Sequence, residues 1–347
     1  MTGGEGALPR GGSPVFVRQH PAVFLFLLTL ILAVTIAGAL ATGTVAVSPL
    51  AVLFFSSAQS SAVANPGMII LTLRATRICA AGLVGAGLSV AGAALQGLFR
   101  NPLVSSHILG ITPGAGFGAA LAILAGFSLP AVAVCAFLGG ISALVLTLVL
   151  AGNRAISGSL TLILFGIICG ALFQALTSLV KYLADPADRL PDIVFWLMGS
   201  FNHLPPEILV FSSVLIVIPA AVLLAARWQI SLISLGEDHA RAVGVDTRNL
   251  VFLIVVATTL VASASVALAG MIAWVGLLVP NVVRILTGPD FRLLMPSCAL
   301  CGAIYLILAD TLARSVAFYE IPVGIITAMI GAPVLILLIR KETGWWQ

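Results

Sequence analysis

The chain has 347 residues, of which 61% are hydrophobic and 8% are charged, and its formal net charge is +4. A soluble fold of this length cannot bury so much apolar surface, so the composition excludes a soluble protein and indicates a helical membrane protein. The small net charge and the lack of a basic cluster also exclude a nucleic-acid-binding surface.

Ten apolar runs along the chain predict ten transmembrane helices, because each run is close to the roughly 20 residues that cross a bilayer. They lie at 22–42, 77–98, 107–126, 129–151, 159–183, 207–226, 249–270, 272–287, 293–313 and 321–340. A shorter apolar stretch at 192–201 is flanked by prolines and is predicted to form an interfacial or re-entrant helix. The predicted fold class is therefore an all-α polytopic membrane protein, with residues 21–341 as one transmembrane domain.

Both ends of the chain are predicted to lie in the cytoplasm. With that orientation, eleven of the sixteen Lys and Arg residues fall on the cytoplasmic side and five on the outside, as the positive-inside rule requires. Residues 1–20 are rich in Gly and Pro and are predicted to be a disordered cytoplasmic tail, and residues 342–347 form a short C-terminal tail.

The longest polar run between two apolar runs is residues 231–250. It contains six ionisable residues, namely Glu237, Asp238, His239, Arg241, Asp246 and Arg248. We predict one or two short helices on the cytoplasmic face, ending at Gly244, because Gly is the usual residue after a helix C-terminus. A soluble protein binding to these helices and an ordinary solvated loop are both compatible with this pattern.

The chain has 34 glycines, and several of them cluster in the second and third predicted spans. Gly85 and Gly92 lie in the second span, and Gly114 and Gly118 in the third. Small residues allow membrane helices to approach closely, so these glycines predict tight helix packing.

Motifs for enzymatic or coupled-transport chemistry are missing from the sequence. There is no Gly-Lys dipeptide and therefore no Walker A loop for ATP. The interiors of the spans lack the carboxylates that ion-coupled carriers use, since Asp310 lies near the outer end of its span. Cys298 and Cys301 have no second cysteine pair, so they are interpreted as packing residues and no metal site is predicted. Energy for transport would then come from another subunit.

Five segments of the sequence resemble the FecCD-type permeases. They are RATRICAAGLVGAGLSVAGAALQGLFRNPLVSSHILGITPGAGFGAAL (74–120), LGEDHARAVGVDTRNL (235–250), AGMIAWVGLLVPNVVRILTGPDFRLLMP (269–296), ILADTLAR (307–314) and EIPVGIITAMIGAPVLILLIRK (320–341). This family supplies the membrane subunits of binding-protein-dependent ABC importers for iron–siderophore, haem and vitamin B12. The segments occur in the family's order from about residue 21 to residue 341.

The resemblance implies a type II ABC importer permease in the inner, cytoplasmic membrane. Two permease subunits, expected to be a homodimer, would surround a central path. The expected partners are two cytoplasmic ABC ATPase subunits and a periplasmic or lipid-anchored substrate-binding protein. ATP and Mg²⁺ would bind to the ATPase, so we expect no cofactor and no enzymatic activity on this chain.

The resemblance also implies roles for residues at both faces of the membrane. Residues 231–248 match the family's coupling segment, which rests on the ATPase; the matching residues are Leu235, Gly236, Glu237, Ala240, Arg241, Gly244 and Val245. The outer arginines Arg74, Arg77 and Arg314 match those that dock glutamates of the binding protein, a use that suits the planar guanidinium fork. Without the resemblance, arginines at span ends are interpreted as interfacial anchors. Asp310 lies four residues before Arg314, a spacing that predicts an ion pair within one helix.

The inner end of the fifth span matches the family's inner gate. The matching residues are Gly158, Ser159 and Thr161, although small residues at such a place also suit plain helix packing. The Q-x-x-x-R-N-P pattern formed by Gln96, Arg100, Asn101 and Pro102 is interpreted as structural, with Asn-Pro ending a helix and Gln96 bonding between helices.

The substrate is not determined by these residues. Because the family most often carries iron–siderophores, an iron–siderophore is the first choice of substrate. Haem and corrinoids follow, and a molybdate-type oxyanion is last. Two alternatives of other classes are a secondary carrier and a sensor or scaffold that transports nothing.

Overall fold

The computed structural model describes residues 17, 19–42, 66–152, 159–202, 204–316 and 320–341. In these ranges the regular structure is helical throughout. The helices are α1 (Pro21–Ala41), α2 (Pro66–Phe99), α3 (Ile111–Leu124), α4 (Leu129–Ala151), α5 (Ser159–Leu183), α6 (Arg189–Leu197), α7 (Pro206–Ala225), α8 (Arg227–Ser234), α9 (Glu237–Ala242), α10 (Thr247–Ala269), α11 (Val275–Thr287), α12 (Phe291–Ser315) and α13 (Val323–Lys341). Most of the predicted N-terminal tail, Gly158 and residues 342–347 lie outside the described residues.

The ten predicted spans are confirmed as helices. Seven helices are long and apolar enough to cross a membrane, namely α1, α2, α4, α5, α7, α10 and α12. The other three predicted spans correspond to the shorter apolar helices α3, α11 and α13. The short apolar stretch near 192–201 forms the nine-residue helix α6. These helices are those of a multi-pass membrane protein.

Two of the spans are shorter than a bilayer is thick. Helices α3 and α11 have 14 and 13 residues, which corresponds to about 20 Å of helix against a hydrocarbon core of about 30 Å. Most residues of α3 are buried between its neighbours. Irregular backbone is tolerated at membrane depth where protein surrounds it, so the loops before α3 and α11 complete these two crossings.

The centre of the bundle consists of α2 and α10, which are the most buried of the long spans. In the 18-residue apolar stretch of α2, 78% of the residues are buried, and in that of α10, 72%, whereas the corresponding stretch of α1 at the periphery is 11% buried. A Cβ at Gly85 would collide with the carbonyl of Gly302, and one at Gly92 with the carbonyl of Gly276. The prediction of tight packing at the glycines of the second span is therefore confirmed, since α12 and α11 contact the α2 backbone directly.

The junction between α10 and α11 lies against the end of α6. Helix α10 stops at Ala269 because Gly270 takes the left-handed φ of +69°. The Ser200 backbone N–H donates to the Ala269 carbonyl at 2.9 Å, and a Cβ on Gly270 would collide with the Trp196 carbonyl. The short helix predicted near 192–201 is thus anchored on the end of the central span.

Candidate functional site

At the outer end of the bundle, α2 and α12 bring together two arginines and an aspartate. Arg77 Nε donates to both carboxylate oxygens of Asp310, at 2.8 and 3.0 Å. Arg77 Nη1 donates to Glu320 Oε2 at 2.9 Å. Arg314 lies one turn after Asp310 in α12, with its Nε 3.3 Å from Asp310 Oδ2. Asp310 is therefore shared as a counter-ion by two guanidinium groups.

The same arginine cluster holds the end of α1. Arg74 Nη1 donates to the Leu40 carbonyl at 3.0 Å, and Arg314 Nη2 approaches the Ala39 carbonyl at 3.4 Å. These carbonyls belong to the last turn of α1, where backbone acceptors have no partner within the helix. Arginine side chains at this position satisfy them and favour the negative end of the helix dipole.

The three arginines predicted for docking are thus brought together, although little of them reaches the surface. Arg74, Arg77 and Arg314 are 8%, 9% and 7% exposed, and Asp310 is 1% exposed. Glu320 is the exception, since 41% of its side chain is exposed. Arg77 Nη2 is buried and has no hydrogen-bond partner among the described residues. Three arginines and two acids leave this cluster with a net positive charge, which favours a carboxylate ligand.

Sequence reasoning identified part of this cluster. The pair between Asp310 and Arg314 was expected from their spacing of four residues and is confirmed. The stronger pairing of Asp310 with Arg77, and the contact of Arg77 with Glu320, were missed. The available signal was Asp310 itself, because an acid inside a span is nearly always paired.

On the opposite face, the predicted coupling segment (residues 231–248) contains the second half of α8 and the whole of α9, in agreement with the prediction of one or two short helices. Arg241 Nη2 donates to Glu237 Oε1 at 2.8 Å within α9. Arg241 Nε donates to Thr247 Oγ1 at 3.0 Å, which connects α9 to the start of α10. Asp246 caps α10 by accepting from the Asn249 backbone N–H at 3.1 Å. The segment is therefore tied to the central span.

The predicted coupling residues divide into a buried and an exposed set. Ala240 and Gly236 are buried, and Glu237 and Val245 are half-buried, whereas Leu235, Arg241 and Gly244 are exposed. Leu235 is 69% exposed, an unusual value for a leucine outside the membrane spans. After α9 the chain turns at Gly244, whose φ is +86°, and the Val245 backbone N–H donates to the Ala240 carbonyl at 3.0 Å. The prediction that the helix ends at Gly244 is confirmed.

The predicted inner gate is only partly visible. Gly158 lies outside the described residues, Ser159 is the first residue of α5, and Thr161 is half-buried in the first turn. Farther along α5, Gln174 is exposed in the middle of the span and Ser178 follows one turn later on the same exposed face. An amide exposed to lipid at that depth is costly, so this face is suited to water or to another protein chain.

The Q-x-x-x-R-N-P pattern at the inner end of α2 connects α2 to α11. Gln96 Nε2 donates to the Leu277 carbonyl at 3.3 Å and its Oε1 accepts from Arg284 Nη2 at 3.1 Å. Asn281 Nδ2 donates to the Pro102 carbonyl at 3.0 Å. The predicted interhelical role of Gln96 is confirmed.

Comparison with known proteins gives a consistent result. Residues 29–341 match the FecCD transport family. The chain is 42% identical to the molybdate import system permease protein of Haemophilus influenzae, covering 79% of this chain and 81% of that protein. It is 37% identical to the cobalamin import system permease protein of Halobacterium salinarum, covering 79% and 74%.

Further similarity comes from another relative and from a solved structure. A probable iron chelatin transport system permease protein of Helicobacter pylori is 36% identical, covering 80% of this chain and 84% of that protein. An ABC transporter assigned to the metal-chelate type, solved in an inward-facing conformation, superposes with a TM-score of 0.83 at 39% identity. That match covers 92% of this chain and 99% of the solved chain.

Proposed function

Because the chain belongs to the FecCD transport family, whose members are ABC transporter permease subunits and not enzymes, we propose that it is the permease of a binding-protein-dependent importer. Residues 21–341 form the permease domain of this proposal. Two copies surround the path, two ATPase subunits bind at the coupling segment, and a binding protein docks on the outer face. In this proposal ATP and Mg²⁺ bind to the ATPase subunits, and this chain binds no cofactor.

The observation that carries the proposal is the arrangement of α2 and the coupling segment. One end of the bundle holds the arginine cluster with a net positive charge, and the other presents α9, fixed to α10 through Arg241 and Thr247. A short helix fixed in this way transmits a rigid-body displacement from a soluble partner to the central span. Arg74, Arg77 and Arg314 are the proposed docking residues, and Gly158, Ser159 and Thr161 the proposed gate.

The cargo that we propose first is a metal chelate, specifically an iron–siderophore. The Helicobacter pylori relative is named for iron chelatin, and the solved relative is assigned to the metal-chelate type. A molybdate-type oxyanion is the second candidate, because the relative with 42% identity is named for molybdate. Haem and cobalamin are the remaining candidates, and cobalamin is included because one of the relatives is named as a cobalamin permease.

The test is uptake into proteoliposomes that contain the chain and its ATPase, with the binding protein outside and ATP inside. Labelled ferric siderophore, molybdate, haem and cobalamin are compared. We expect ATP-dependent uptake of one cargo only. Leu235→Asp changes an exposed residue of the coupling segment and is expected to abolish uptake without loss of folding.

Three results would contradict the proposal. Uptake that persists without ATP would indicate a secondary carrier. ATPase binding without uptake of any of the four cargoes would refute the proposed cargoes while leaving the family intact. Failure of the ATPase to bind the wild-type chain would refute the importer assignment itself.

A further inference from the structure

A cavity of about 520 Å³ separates the coupling segment from the inner ends of α2, α11 and α12. Ser231, Ser234 and Leu235 line one side, and Gln96, Arg100 and Arg284 line the other. It therefore adjoins the surface on which the proposed ATPase partner rests. Its lining includes Gln96, Arg100 and Arg284, whose side chains can donate hydrogen bonds.

Arg100 occupies a backbone position that ordinarily belongs to glycine. Its φ is +50°, its backbone N–H donates to the Gly97 carbonyl at 3.3 Å, and the Asn101 N–H donates to the Gln96 carbonyl at 3.2 Å. These two bonds form the Schellman arrangement at the end of α2, in which the residue after the helix is left-handed. Glycine takes that conformation without the steric cost that a Cβ imposes. The need for a left-handed residue at the end of α2 therefore does not explain why residue 100 is an arginine.

The Arg100 side chain has no partner of its own within the described part of the chain. It is exposed, and neither an ion pair nor a hydrogen bond is made by its guanidinium there. The one acid in the cavity lining is Asp290, and its Oδ1 accepts from the Arg292 backbone N–H at 2.9 Å to cap α12. Arg284 already donates to Gln96. The cavity thus offers one uncompensated cation to a ligand.

We propose that this cavity receives an acidic side chain of the ATPase subunit, bound by Arg100, as a second contact beside α9. The inference rests on the proposed importer function. The guanidinium fork fits a carboxylate through two hydrogen bonds, and the shared wall at Ser231, Ser234 and Leu235 makes the cavity continuous with the coupling segment.

The contact at Arg100 also has a mechanical route to the outer face. Helix α2 runs without interruption from Pro66 to Phe99, so Arg100 follows the helix that carries Arg77. The separation of 23 residues corresponds to about 35 Å of helix. Gly97 keeps this end of α2 in close contact with α8 and α12, because a Cβ there would meet the Ile230 and Phe291 side chains at 3.0 and 2.7 Å.

The decisive variant is Arg100→Gly, since glycine suits the left-handed backbone and removes only the side chain. The affinity of the full-length chain for the ATPase is measured in nanodiscs, together with the melting temperature. We expect affinity to fall about tenfold, with a weaker dependence on salt, and the melting temperature to stay equal or rise. Arg100→Lys is expected to retain part of the affinity. Arg100→Asn, which also tolerates this backbone, is expected to behave like the glycine variant.

The matched control is Arg292→Gln, because Arg292 is an exposed arginine near the cavity that does not line it. We expect its ATPase affinity to equal that of the wild type. Wild-type ATPase affinity in both Arg100→Gly and Arg100→Asn would overturn the inference while leaving the importer assignment intact. A loss of ATPase affinity that appears only in nanodiscs made with anionic lipid would also overturn it, because the ligand of Arg100 would then be a lipid phosphate. No ATPase binding by the wild-type chain would instead refute the proposed function.

Discussion

Arg77 and Asp310 are separated by 233 residues in the sequence, yet Arg77 Nε donates to both oxygens of the Asp310 carboxylate. Asp310 is 1% exposed and Arg77 9%. A buried carboxylate that accepts two hydrogen bonds from one guanidinium and lies beside a second is difficult to replace. Its removal would leave Arg314 without a counter-ion and Arg77 with only Glu320. The pair therefore joins α2 to α12 and forms the centre of the outer cluster.

Asp310→Asn should be strongly destabilising. It leaves Arg314 buried without a counter-charge and Arg77 with only the partly exposed Glu320, and we expect a loss of about 3 kcal/mol or more in the free energy of unfolding. Thermal unfolding of the purified chain measures this. Glu320→Gln removes the other acid of the cluster, but its side chain is 41% exposed, so its expected cost is below about 1 kcal/mol. Equal effects of the two substitutions would contradict the central role of Asp310.

Glu320→Gln should also strengthen docking of the binding protein. Glu320 holds Arg77 Nη1 at 2.9 Å and competes with any incoming carboxylate for the same donor. Releasing it is expected to raise the affinity about two- to fivefold, with the effect on the association rate most evident at low salt. Biolayer interferometry with the chain in nanodiscs measures both rates. A fall in affinity would indicate that Glu320 itself contacts the partner.

Gly244→Ala should impair the coupling segment through its backbone and not through a clash. The Gly244 φ is +86°, and a Cβ there would have nothing within 4 Å. A left-handed alanine costs about 1–2 kcal/mol, so we expect α9 to shift and substrate-stimulated ATP hydrolysis to fall. Gly244→Asn is the matched comparison, because asparagine tolerates this conformation better. Equal activity of the two variants would show that the left-handed turn is unimportant.

Gly92→Ala should prevent correct packing of the central helices. The added methyl would overlap the Gly276 carbonyl, which is backbone and does not move independently of α11. We expect a low yield of monodisperse protein and a lower melting temperature. The expected loss in the free energy of unfolding is about 1–3 kcal/mol, as in other overpacked cores. Gly38→Ala in α1 is the control, since its Cβ would have nothing within 4 Å. A normal yield of Gly92→Ala would contradict the direct contact of α2 with α11.

Gln174→Leu tests whether the exposed face of α5 lines the path. Gln174 is exposed in the middle of its span, and its side chain makes no hydrogen bond to any described residue. If its amide contacts cargo or water in the path, uptake should change about fivefold, which is the value of one hydrogen bond of about 1 kcal/mol. Gln174→Asn keeps the amide and is expected to transport. Unchanged uptake with a raised melting temperature in lipid would show that this face meets lipid instead.

The sequence was sufficient to predict features that depend on local pattern. Apolar run length predicted the ten spans, and the prolines around residues 192–201 predicted the short helix α6. The glycine at 244 predicted the end of α9, and the spacing of Asp310 and Arg314 predicted their ion pair. Each of these follows from residues within a few turns of one another.

Features that depend on which helices are neighbours were not predictable in this way. The sequence pattern predicted a docking role for Arg77 of α2. No local pattern shows that Arg77 also pairs with Asp310 of α12. The same holds for the guanidinium of Arg100, which has no partner among the residues that the structure describes, because the Asn-Pro that follows it predicts only where α2 ends. The Arg77 pair depends on a tertiary contact across 233 residues, whereas the left-handed turn at Arg100 is closed by backbone bonds to the nearby Gln96 and Gly97 carbonyls.

The long separation of Arg77 and Asp310 has a consequence for biosynthesis. Arg77 enters the membrane with α2, but its buried counter-ion is encoded 233 residues later. At about 5–20 residues per second, the ribosome needs between about 10 and 50 s to reach Asp310. During that interval the guanidinium has to remain at the water interface, or α2 has to wait near the insertion machinery. Completion of α12 therefore marks the moment at which the outer half of α2 can settle into the bilayer.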